Sequence, residues 1–136
     1  MAARAQRHSA KLETGARVTD VGCSHGASTI LMGKAYPDPV GAARHVREML
    51  NPDGTWMILE PFANDAFPNN LNPIGWMFYA ASTMSCTPAS RAQKAGLCLG
   101  AQAGEARMRD VVTQGGFTRF RRAAETPLNV VYEARP

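Results

Sequence analysis

The chain has 136 residues, 45% hydrophobic and 19% charged, with a net charge of +4. That length holds one domain around one core and leaves no room for a second lobe. The longest apolar runs fall well short of the ~18 residues that span a bilayer, and the basic start lacks the apolar segment of a secretory leader. The expected setting is therefore the cytoplasm, with no membrane partner. Arg119, Arg121 and Arg122 form the tightest basic cluster, but they alternate with Phe117 and Phe120 in a strand-like pattern. This reads as a guarded strand edge, so no nucleic acid partner is expected. Cys23, Cys86 and Cys98 are too scattered for a paired metal site. They read as reduced thiols, and no metal is implied.

Residues 1–14 are polar and rich in Ala and Arg, a helical remnant that Gly15 breaks. Residues 17–21 form a short strand that runs into a glycine-rich turn, Gly22-Cys23-Ser24-His25-Gly26. Residues 27–36 then read as a helix, with Ser28 near its start and Pro37 and Pro39 closing it. Val40, Ala43, Val46 and Leu50 recur at helical spacing and predict a second helix directly after. Asn51-Pro52-Asp53-Gly54 is a turn, because Pro presets φ and Gly accepts a positive one.

Residues 55–60 are an apolar run expected to be a strand buried on both faces, as in a parallel sheet. A Pro/Asn-rich loop fills 61–72. Residues 74–84 hold Trp76, Met77, Phe78 and Tyr79 and predict a helix. Such a density of aromatics suits packing on the core, and Trp76 and Tyr79 are also candidates for lining a pocket. Residues 85–103 are loosely helical, interrupted by Pro88, Gly96 and Gly100. An amphipathic helix is predicted over 105–113, with Met108, Val111 and Val112 inward and Gly115 as its stop. Strands at 117–122 and 128–133 close the order as an antiparallel hairpin.

The glycine turn lies between strand and helix. Glycine permits a sharp bend and close backbone approach, and the helix start offers unpaired N–H groups and a positive dipole end to an anionic ligand group. The turn also fits G-x-S-x-G, the elbow of serine hydrolases. That reading fails on its histidine: the only one after the elbow is His45, and the only acid between them is Asp38.

Asp20-x-Gly22-x-Ser24-x-Gly26 resembles the acidic-x-Gly-x-Gly-x-Gly loop of class I S-adenosylmethionine-dependent methyltransferases, with Ser24 in place of the middle glycine. Leu50-Asn51-Pro52-Asp53-Gly54 and the strand ending at Glu60 resemble that family's helix–turn–strand segment. The stretch 70–81 resembles the substrate-covering helical insert of bacterial, particularly actinobacterial, members. The helix running into Gly115-Gly116-Phe117 and the final hairpin resemble its carboxy-terminal end.

The resemblance implies an α/β fold with a reduced, Rossmann-like, mainly parallel sheet and an antiparallel terminal hairpin. It divides the chain into a glycine-loop half at 15–37 and a second half at 38–136, with a helical insert at 70–103. The break falls near 36–38, where the family's central strands are missing. A ribose-binding acid belongs roughly 20 residues beyond the glycine loop; here that count lands in the helix containing Glu48.

The implied activity is methyl transfer from S-adenosylmethionine to a small-molecule acceptor, with Asp20, Gly22, Ser24 and Gly26 on the cofactor's amino-acid end. Glu60 and His25 are the groups available as a base. Glu60, Trp76 and Tyr79 are the pocket candidates. The alternative is an inactive remnant or an interaction module. Missing strands expose the edges of those that remain, which predicts self-association into a homo-oligomer.

Overall fold

The computed structural model describes residues 38–92 and 97–136. The expectations for the remnant at 1–14, the strand at 17–21, the glycine turn with Asp20, Gly22, Ser24, His25 and Gly26, and the helix at 27–36 lie outside the described residues. What is described is a mixed α/β unit: a three-stranded sheet in the order β1-β3-β2, with helices packed on it.

Helix α1 (Pro39–Met49) starts where the Asp38 side chain accepts the backbone N–H of Gly41. Pro39, expected to close the preceding helix, instead opens this one. Proline suits a first-turn position, where its missing N–H costs nothing. Ala43 and Val46 are the buried residues of its inner face. The turn at 51–54 closes through the Gly54 N–H on the Asn51 carbonyl at 2.8 Å.

Strand β1 (Trp56–Pro61) follows. Trp56 and Ile58 face the core, whereas Leu59 on the other face is 42% exposed. The two-sided burial expected of this strand therefore holds on one face only. Its pairing is with β3 (Asn129–Arg135), antiparallel, with Ile58 opposite Tyr132. β3 also pairs antiparallel with β2 (Arg119–Glu125), with an irregularity between Arg122 and Ala124. Every pairing among the described residues is thus antiparallel, in place of the mainly parallel sheet expected. The two outer strands, each antiparallel to β3, run parallel to one another with β3 between them.

Helix α2 (Pro73–Ala81) is capped by Asn72, whose side chain accepts the Gly75 N–H at 2.9 Å. It continues without a break through a five-residue π-helical segment (Ser82–Cys86) into α3 (Thr87–Arg91). Pro88, expected to interrupt this stretch, is accommodated because it falls in the first turn of α3. Helix α4 (Gly104–Gln114) buries Met108, Val111 and Val112, as its periodicity predicts. Gly115 has an ordinary φ of −71°; the left-handed glycine is Gly116, at +98°. Gly115 serves packing instead: a Cβ there would lie 2.5 Å from Cβ of Ala43 on α1.

The core joins α1 and α4 to one face of the sheet, through Val46, Val112, Trp56, Phe117, Tyr132 and Ala134 among others. Trp56 and Phe117 meet with ring centroids 5.3 Å apart. Burial of this apolar set is what holds helices to sheet.

Candidate functional site

Glu60 is the last residue but one of β1 and lies half-buried at the strand's carboxyl end. By strand alternation it shares the core-facing side with Trp56 and Ile58, opposite Val130 in register. Burial disfavours its charged form and pushes the carboxyl from 4.5 up to about 7. The same sheet face carries Tyr132, fully buried on β3. Burial chiefly drives the Tyr132 phenol up to about 12. Glu105, Asp65 and Glu60 push the same way, while the Arg122 charge pulls it down. The charges that act on this phenol thus come from four different segments.

The loop after β1 builds the frame. Asn64 donates its backbone N–H to Asn70 Oδ1 at 2.8 Å, and Asn70 Nδ2 donates back to the Asn64 carbonyl at 2.8 Å. Asn70 is buried, and this reciprocal clasp satisfies it. Asp65 reaches across to accept the Ala106 N–H at the start of α4, at 2.8 Å. Glu105 pairs with Arg109 at 2.7 Å and Arg122 at 2.9 Å, and Arg122 also holds Glu125 at 2.7 Å. Arg121 pairs with Glu133 at 2.6 Å. The basic cluster on β2 is thus largely engaged with acids, as suits a strand edge.

Beside this frame is a cavity of about 180 Å³ lined by Phe62, Asn70, Asn72, Ile74, Gly75 and Pro127. It is smaller than the ~300 Å³ at which small-molecule pockets begin.

None of the three pocket candidates, Glu60, Trp76 and Tyr79, lines this cavity. Tyr79 is half-buried, with its ring edge-on to Phe67 at 5.6 Å. Trp76 is 61% exposed and points to neither core nor cavity. The expectation that it packs on the core is corrected: Gly75, Phe78, Tyr79 and Ser82 turn inward, and Trp76 lies on the opposite side of the helix. Glu48 sits in α1, exposed, and not at a strand end. Asn64, Asp65, Asn70 and Tyr132 were not singled out from sequence. The run of asparagines between 64 and 72 was the only local signal for Asn64 and Asn70. No group of three or more metal-ligating side chains occurs among the described residues, and no helix there is long and apolar enough to cross a membrane.

No protein-family model matches the chain, and no match was found among curated proteins.

Proposed function

We propose that the chain is a methyltransferase-type domain that transfers a methyl group from S-adenosylmethionine to a small-molecule acceptor on a reduced Rossmann-like sheet. The observation that carries this reading is Glu60, a carboxyl raised to about 7 at the carboxyl end of a strand in an α/β unit. If β1 joins a parallel sheet through its other edge, ligands sit outside that strand end, and a base poised near neutral pH suits removal of a proton from an acceptor hydroxyl or amine. The described half is also compatible with a larger sheet. β1 pairs along one edge only among the described residues, which leaves its other edge for the strand expected at 17–21.

The resemblance puts Asp20, Gly22, Ser24 and Gly26 on the cofactor's amino-acid end. Bound S-adenosylmethionine supplies an electrophilic sulfonium methyl. The protein's share is to position the acceptor, keep water out and hold the proton at Glu60. The test is a thermal melt of the full chain with and without excess S-adenosylhomocysteine. At ligand one hundred times Kd, native-state binding adds about 2.7 kcal/mol, so the transition moves up. A cooperative transition that stays in place under saturating ligand would sink the proposal. It would support the second reading, a remnant acting as an interaction module, which the exposed face of α2 favours.

A further inference from the structure

We propose that the outward face of α2 and its π-helical continuation is a self-association surface that pairs two copies of this chain about a two-fold axis. Trp76, Met77, Ala80, Ala81 and Met84 all lie exposed along it, while Gly75, Phe78, Tyr79 and Ser82 face inward. Trp76 is 61% and Met84 83% exposed. Phe67 and Leu71, from the loop leading into the helix, are more than half exposed as well. Large apolar side chains grouped this way mark interaction sites more often than plain surface.

Charge selects the occupant. From Ala66 to Ser90 there is no Asp, Glu, Lys or Arg. In a two-fold interface each patch meets itself, so any charge on it approaches its own copy. A face without charges escapes that repulsion, in a protein that carries a net +4 elsewhere. An anionic membrane or an acidic peptide would instead require basic residues on this face. Ala80 and Ala81 in its middle leave room for two helices to approach closely.

The area also suffices. At roughly 150 Å² for each large exposed side chain, Trp76, Met77 and Met84, with Ala80 and Ala81 between them, offer on the order of 500 Å² per copy. A symmetric pair then removes about 1,000 Å² from water, the threshold for a specific interface.

The test is sedimentation velocity on the full chain from about 1 to 100 μM, a range in which micromolar affinity is visible, with Met84→Lys and Trp76→Lys as variants. The expected result is a concentration-dependent dimer in the wild type. Each variant should weaken it at least ~10-fold, a cost of ~1.4 kcal/mol, with the far-ultraviolet spectrum unchanged. Should Trp76→Lys disturb the fold, Met84→Lys decides alone, since so exposed a side chain supports little of it. A wild type that stays monomeric throughout overturns the proposal. So does a dimer that both variants leave intact, which would shift the contact to the open edge of β1. A monomer that floats with neutral lipid vesicles also overturns it and makes the face a lipid-binding one. None of these outcomes depends on cofactor binding.

Discussion

Asp65 accepts a hydrogen bond at 2.8 Å from the backbone N–H of Ala106, forty-one positions further along the chain. A loop residue next to β1 thereby acts as the N-terminal cap of α4. The helix's own preceding residue, Ala103, makes no side-chain cap. The contact is tight, because a Cβ on Gly104, which sits at φ +75°, would come within 2.5 Å of the same carboxylate oxygen. Asp65→Ala should cost about 1 kcal/mol, the usual worth of a cap. Asp65→Asn should retain most of it. Urea denaturation monitored by circular dichroism distinguishes the two, and equal losses would mean that charge, not the hydrogen bond, carries the effect.

Glu60 makes stability depend on pH in a defined direction. Its carboxyl holds its proton to higher pH in the folded chain than in the unfolded one, from 4.5 to about 7. The folded state therefore binds more protons across that window, and stability falls as pH rises from about 4.5 to about 7, then levels off. Glu60→Gln should flatten this part of the Tm profile and raise Tm above the wild type at pH 8. A wild-type profile that climbs over the same window through Glu60 would contradict the assignment.

Gly75 admits no side chain. An added Cβ would lie 1.9 Å from the Asn70 carbonyl oxygen, which belongs to the clasped loop and has no freedom to retreat. Gly75→Ala is expected to destabilise by about 1–3 kcal/mol, the range for overpacking, despite alanine's better helix propensity. Ala80→Gly, on the exposed face of the same helix, should cost about 1 kcal/mol through propensity alone. Comparing their urea midpoints separates collision from propensity.

Phe117 is 2% exposed, and its ring meets Trp56 across the helix–sheet core. Phe117→Ala should cost about 3–5 kcal/mol, enough to remove much of the stability of a unit this small. Thr118→Ala, at the exposed neighbouring position, should stay within ~0.5 kcal/mol. Loss of the cooperative thermal transition in the first variant alone is the expected outcome.

Local pattern was enough to find most of the described elements. The three- and four-residue spacing of Ala43 and Val46, and of Met108, Val111 and Val112, marked the inward faces of α1 and α4 correctly. Asn51 to Gly54 announced its turn, and the final hairpin lay within a few residues of its expected place. What pattern could not show was partnership between distant strands. An apolar run such as Trp56 to Leu59 suits either a two-sided parallel strand or a one-sided antiparallel one, and only the pairing with β3 decides. Trp76 misled for a related reason. A helix apolar on every side carries no signal of which side is inward, and Gly75 wedged against Asn70 sets its rotation. The candidate site was legible at Glu60 alone; Asp65 and Tyr132 come to it through tertiary contacts that leave no mark on local sequence.

The place of β3 between β1 and β2 has a consequence for biosynthesis. β3 is the last of the described elements to be translated, yet each of the other two strands pairs with nothing else among them. β1 must therefore wait while more than sixty further residues are translated, several seconds at typical ribosomal speed. For that interval the edge of β1 that β3 will occupy is open, and the apolar side chains of Trp56 and Ile58 lack their neighbours on β3. A nascent chain stalled before Asn129 would be a target for chaperones, whereas one in which β3 has emerged can complete the sheet.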